Sequence, residues 1–320
     1  MQQQSVGGFR LSPYQRHLWR LHPSDATSPY RSQVAVAIAG PLELDRLRHA
    51  VCEAAAAHES LRTAFERVAG VKVPLQVVTT GEPRLHEQQD VAPVDPAARR
   101  AWLRALLAAD RERAVDAGEA PLRGVIVALA PDEHVLILSS IALCADRKSM
   151  LKLAAEIATR YGRAASAGDP MQYSDFSAWH NEILESAEPT DRAYWTAQRA
   201  LNADVSIVTG EHGGAGTPFR PDLVELAISE TLSRRIVALS AERGVAVDRF
   251  LIGCWAALLA RISGQERIVV GAPVDFHGYE ELERTIGLLT VNAPLSVPLH
   301  RRRTFTDVID GVDRSLDDLA

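Results

Sequence analysis

Cysteine is scarce in this sequence. Cys52, Cys144 and Cys254 lie far apart, odd in number and in no CxxC spacing, which leaves no disulfide framework and no zinc cluster to expect. Thiols scattered in this way fit a reducing compartment, so the expected location is cytoplasmic. A surplus of positive charge is also missing: 35 Lys and Arg against 41 Asp and Glu give a net charge of −6. That balance argues against a nucleic-acid partner, whose binding rests on neutralising phosphates. No stretch approaches about 18 uninterrupted apolar residues. The start, MQQQSVGGFRLSPYQ, has no charged segment followed by an apolar one. Neither a membrane span nor a secretory leader is therefore expected. Lysine is rare as well; Arg supplies nearly all the positive charge and Ala is abundant, a coding bias with no mechanism attached.

What is present belongs to an ordinary folded protein. Hydrophobic residues make up 47% and charged residues 24% of the 320, enough for a sizeable core and, against a prior of about 150 residues per domain, for two domains or one large one. Ser12 and Pro13 open a short amphipathic helix over 13–22 as N-cap and first helical residue. The alternation in QVAVAIA predicts a strand over 33–39. Leu44, Leu47, Val51, Ala54 and Ala55 recur at helical spacing up to His58. Strands over 62–67 and 71–79 read as a hairpin about Ala69-Gly70, and Asp95-Pro96 opens a second long helix. Strands over 122–129 and 134–140 and a helix over 148–161 follow, then helices over 174–186 and 191–201. The remainder reads as strand 223–228, helices 230–243 and 247–262, strands 267–271 and 289–297, and helix 305–319. Strands alternating with helices throughout argue for α/β or α+β layers in two similar lobes.

Several segments, in order along the chain, resemble one family. LSPYQRHLW (11–19), AHESLRTAF (57–65), YSDFSAWH (173–180) and the long stretch FLIGCWAALLARISGQERIVVGAPVDF (250–276) are similar to motifs of the condensation domains of nonribosomal peptide synthetases. The resemblance implies a fold like chloramphenicol acetyltransferase, an α/β (α+β) sandwich of two lobes meeting in a V. The N-terminal lobe is expected over 1–170 and the C-terminal lobe over 171–320, the second lobe truncated, because family members usually continue further.

The resemblance also says where chemistry belongs. The family carries HHxxxDG at the end of a strand, and its second histidine is held to orient or deprotonate the attacking amine. Here the stretch reads Ile141-Ala142-Leu143-Cys144-Ala145-Asp146-Arg147. Both histidines and the glycine are gone, and a methyl group cannot move a proton, a service worth about 10²–10⁴ in rate. Asp146 resembles the family's structural aspartate, and the resemblance pairs it with Arg62. Substitute nucleophiles, Ser149 and Cys144, stand nearby, each needing an adjacent base; His58 and His180 are the histidines that could approach. The plainer reading makes Cys144 a small buried residue, Ser149 part of the following helix, and Arg147 with Lys148 a solvated pair whose charge opposes the helix dipole unless a partner compensates. Ser140 and Asn292 are the tunnel candidates, although Asn292 falls one position later than in the family's fifth motif. On a strand that shift turns a side chain to the other face.

The function these readings imply is that of a condensation-like domain in a peptide or hybrid polyketide assembly line, inactive in histidine-dependent amide formation and serving carrier-protein docking or structure. The alternative is an acyltransferase of the same superfamily working without the histidine. In either case no metal and no directly bound cofactor is expected, the phosphopantetheine arm of a carrier protein is the tethered substrate, and carrier domains and neighbouring modules are the partners.

Overall fold

The computed structural model describes residues 8–21, 30–68, 70, 72–88, 93, 95–113, 120–163, 168–186, 189–201, 224, 226–299 and 304–318. They form two units, the first made of 1–186 with 275–290 and the second of 187–274 with 291–320.

The first unit is built on a four-stranded sheet in the order β2 (Arg31–Ala39), β7 (Glu133–Ile141), β6 (Leu122–Ala130), β5 (Arg84–Glu87). β7 pairs antiparallel with both β2 and β6, and β5 joins the far edge parallel to β6. Both faces of β7 are apolar because both are covered, the condition under which strands lose their polar alternation. On one face Leu136 and Leu138 pack with Leu47, Val51 and Ala54 of α2 (Leu44–Ala57) and with Met150, Leu153 and Ile157 of α4 (Arg147–Tyr161). On the other, Val135 and Ile137 meet Trp102, Leu103, Leu106 and Leu107 of α3 (Pro96–Glu112). Asp95 caps α3 by accepting from Ala98 N at 2.8 Å, with Pro96 in the first turn, as the sequence implies.

A smaller sheet, in the order β1 (Phe9–Arg10), β4 (Leu75–Val78), β3 (Thr63–Glu66), contains the expected hairpin with Thr63 opposite Val78. α1 (Pro13–Leu21) and α5 (Tyr173–Glu185) complete the unit. The expected boundary at residue 170 is corrected here. α5 is sewn into the first unit: Tyr173 and Phe176 are buried with Leu282, Leu288 and Leu289 beside Tyr14 and Leu18, and Asn181 Nδ2 donates to the Leu11 carbonyl at 3.0 Å. The division therefore falls after Ser186, and residues 275–290 return to the first unit.

The second unit carries α6 (Pro189–Leu201), α7 (Glu230–Arg243), α8 (Val247–Ser263), α9 (Phe305–Asp317) and a two-stranded sheet of β8 (Arg267–Asp275) with β9 (Thr290–Pro298). Its core gathers Ala256 and Leu259 of α8, Ile268, Val270 and Ala272 of β8, Leu295 and Val297 of β9, and Val308 and Val312 of α9. α7 and α8 both stop at a glycine in the left-handed region, Gly244 and Gly264. The described residues of the expected strand 223–228 carry no strand; Val224, Leu226 and Ile228 are exposed, and residues 223 and 225 lie outside the described residues. Alternation marks a strand only when a neighbour is there to pair with it.

β7 is paired along both edges and covered on both faces. Replacing Leu138, fully buried among helices α2 and α4, by alanine is expected to cost about 2–5 kcal/mol, read as a lowered urea midpoint at unchanged slope.

Candidate functional site

The segment that leaves β7 makes a tight turn over 142–144 and then places Asp146 as the N-cap of α4. Backbone contacts set this path: Ala142 N donates to the Tyr30 carbonyl at 2.9 Å, and Asp146 N to the Gly287 carbonyl at 2.9 Å. Gln15 Nε2 holds the turn by donating to the Leu143 carbonyl at 2.9 Å.

The Asp146 carboxylate is 6% exposed and crowded with donors. Oδ1 accepts from Ser149 N at 2.7 Å. Oδ2 accepts from Leu289 N at 2.9 Å and Thr290 N at 2.7 Å. His277 Nε2 lies 3.1 and 3.2 Å from the two oxygens. The other ring nitrogen, Nδ1, is 3.1 Å from Lys152 Nζ. An ammonium has only donors, so Nδ1 accepts and Nε2 carries the ring proton toward Asp146. Burial opposes charge on Asp146, but the hydrogen bonds from His277 and the amides of Ser149 and Thr290 outweigh it and hold the carboxyl below its ordinary value of 3.8.

Other contacts tie residues 275–290 to the same place. Ser149 Oγ donates to the Gly287 carbonyl at 2.8 Å and lies 3.0 Å from Gly287 N, whose hydrogen it accepts. Ser60 Oγ donates to the Ile286 carbonyl at 2.7 Å. Tyr173 Oη donates to the Leu288 carbonyl at 3.2 Å and shares a 2.8 Å hydrogen bond with Ser12 Oγ. A side chain at Gly287 would put its Cβ 2.0 Å from Tyr173 Cδ2, so only glycine fits against that ring. Lys148, at the start of α4, pairs with Asp275, which also accepts from His277 N at 3.1 Å. That carboxylate is the partner the helix dipole requires. Arg147 is exposed beside it.

The expected Arg62–Asp146 pair does not form. Arg62 Nη1 donates to the Thr79 carbonyl at 3.2 Å instead, and Asp146 is served by His277 and three backbone amides. Arg62 lies at the end of the 3₁₀ turn before β3, within reach of the Thr79 carbonyl following β4. The weak nucleophile candidates are committed elsewhere. Ser149 Oγ is saturated by Gly287. Cys144 is 1% exposed, its thiol faces the Thr63 carbonyl at 3.9 Å, and burial pushes its pKa far upward. His58 Nε2 is 2.7 Å from Glu156, and His180 is packed among the rings of Tyr14, Phe176 and Phe276; neither joins Cys144 or Ser149. Ile141 closes β7 opposite Arg31. Ser140 is buried, and among the described residues its hydroxyl makes a long 3.5 Å contact to the Ile141 carbonyl. Asn292 stands exposed on β9 of the second unit, against Gly271 of β8. Sequence reasoning missed His277, Lys152 and Gly287. The signal for His277 was at hand, one residue beyond the VVGAPVDF stretch that carries the resemblance.

A depressed carboxyl stabilises the fold above its ordinary pKa and loses that contribution as pH falls through its lowered folded value, here below about pH 4. Asp146→Asn is expected to cost about 3 kcal/mol or more at pH 7. Urea titrations across pH should show the gap between parent and variant closing as pH drops below about 4.

Comparison with known proteins agrees with this architecture. The condensation-domain family profile matches residues 7–319. A probable nonribosomal peptide synthetase of Salinispora arenicola is 31% identical over 319 residues, 95% of this chain and 4% of the relative. Tyrocidine synthase 3 of Brevibacillus parabrevis is 26% identical over 317 residues, 96% of this chain and 5% of the relative. The chain thus spans about a twentieth of the curated relatives it matches. Among solved structures, the first condensation domain of the CDA synthetase superposes with a TM-score of 0.82 at 21% identity, covering 98% of this chain and 74% of that one. The X-domain from teicoplanin biosynthesis does so with a TM-score of 0.79 at 23% identity, covering 98% and 70%. With the α/β fold those structures share and a profile match over nearly its whole length, this chain belongs to the condensation-domain family.

Proposed function

We propose that this chain is a condensation-family domain of a peptide or hybrid polyketide assembly line that does not make amide bonds by the histidine route and acts in carrier-protein docking or as a structural element. Its two units correspond to the family's two lobes. The observation that carries the reading is Ala142. It stands where the resemblance places the base, and three polar groups that follow it are already committed: Asp146 to four donors, Ser149 to Gly287, and Cys144 buried against the Thr63 carbonyl. Keeping a costly buried carboxylate while the proton-moving side chain is a methyl group is what a fold retained for its surface requires. A complex of the teicoplanin X-domain with OxyB is a related fold bound to a second protein; it aligns at a TM-score of 0.71 and 24% identity, and it supports docking as a use for such a domain.

On this reading the partners are carrier domains and neighbouring modules, and the phosphopantetheine arm of a carrier presents its thioester without being consumed in a condensation. The alternative, turnover by Ser149 or Cys144, lacks a histidine base among the described residues, since His58 is held by Glu156 and His180 by aromatic rings.

The test pairs two loaded carrier proteins, a donor and an acceptor, with this chain. Binding of a carrier is expected, with no amide joining donor to acceptor above the uncatalysed background. Amide formation that disappears when Ala142 is enlarged to Leu would overturn the proposal.

A further inference from the structure

Lysine is the rarest basic residue here; only Lys72, Lys148 and Lys152 occur among 35 Lys and Arg. Arg could reach the same acceptors as Lys152 and would hold its charge permanently, whereas Lys can give up a proton. Lys152 Nζ sits 3.1 Å from His277 Nδ1 and donates to the Glu283 carbonyl. Behind it His277 Nε2 is 3.1 Å from Asp146 Oδ1, and the ring is 7% exposed. Carboxylate, imidazole and amine thus stand in line, the carboxylate fixing the tautomer that leaves a nitrogen lone pair on the amine. This is the arrangement by which an adjacent base activates a nucleophile. Lys152 itself is only partly buried.

We propose that Lys152 is an acyl-accepting amine, with His277 as its proton acceptor and Asp146 as the positioning residue, and that it becomes acylated by a thioester. One ammonium proton passes from Nζ to His277 Nδ1, and the imidazolium rests against Asp146. The free amine attacks the thioester carbonyl carbon; the N–C bond forms, the C–S bond breaks, and the thiolate leaves with the second nitrogen proton as a thiol. His277 returns its proton to water. The product is a stable amide on Lys152, one per chain.

The charges around the nitrogen fit this role. Partial burial lowers the Lys152 pKa and Lys148 on the same helix acts in that direction, while Asp275, Glu283 and Asp146 oppose it. Lys148 differs: its partner is the Asp275 carboxylate, and among the described residues no imidazole is bonded to it. The choice of thioester as acyl donor rests on the assembly-line reading; the acceptor triad does not.

The experiment treats the intact chain with the acetyl thioester of N-acetylcysteamine at pH 7.5 and follows acetylation by intact mass and peptide mapping. One adduct, on Lys152, forming at least about tenfold faster than on Lys148 or Lys72, is expected, that margin being a conservative share of what a positioned base supplies. His277→Gln should slow labelling of Lys152 by about 10²-fold and shift its pH profile toward that of a free lysine. Lys152→Arg should abolish the fast adduct. Equal labelling of the three lysines in the parent chain overturns the proposal, and that comparison needs no variant to fold. So does an unchanged rate in a folded His277→Gln chain. Because the thioester is free in solution, a failure of carrier docking leaves this result unaffected, and the reverse holds too.

Discussion

A buried carboxylate cannot stay charged without donors, and the first unit is arranged around supplying them to Asp146. The donors come from far-apart parts of the chain: the first turn of α4, the entry to β9 at Leu289 and Thr290, and the 3₁₀ turn after β8. Satisfying one group therefore fixes where residues 275–290 must lie within that unit. The glycine at 287 follows from the same constraint, since the segment is drawn close enough to touch the Tyr173 ring. So does the commitment of Ser149, which closes Gly287 from both its amide and its carbonyl.

This requirement separates what the site keeps from what it has given up. Hydrogen bonds to an ionised acceptor are the strong kind, and removing any one leaves part of the charge bare in a dry interior. The aspartate's surroundings are accordingly complete, while the side chain at position 142 is a methyl group that takes no part in them, only the backbone there being held by Tyr30. The chemistry left at α4 lies on its next turn, where His277 faces a lysine and no substrate-orienting histidine is involved. A condensation-family domain with this arrangement has the family's frame and a different set of polar groups in working order.

Much of the frame was legible in the residues. Periodicity located α2, α4, α7 and α8 within a residue or two, and Asp95-Pro96 and Ser12-Pro13 marked helix starts that the structure retains. The strands that failed are informative. β5 (RLHE) has one apolar residue and no alternation, and only its parallel pairing with β6 makes it a strand. The 223–228 stretch has alternation, but its described residues make no strand. The site is half legible: Asp146 stands out, but the resemblance pairs it with Arg62, close in the motif order. The true partner lies 131 positions away, and no local pattern encodes a contact at that separation. The boundary at 170 failed for the same reason, because a glycine- and alanine-rich stretch marks a loop whether or not the next helix returns to the same core.

The central claim is that a neutral His277 bridges Asp146 and Lys152, donating from Nε2 and accepting at Nδ1. Nitrogen-15 NMR of the histidine side chains at pH 7.5 tests this directly, with His277→Gln used to assign the signal. A protonated Nε2 and an unprotonated Nδ1 are expected for His277. A resting imidazolium, or the tautomer with its proton on Nδ1, would contradict it.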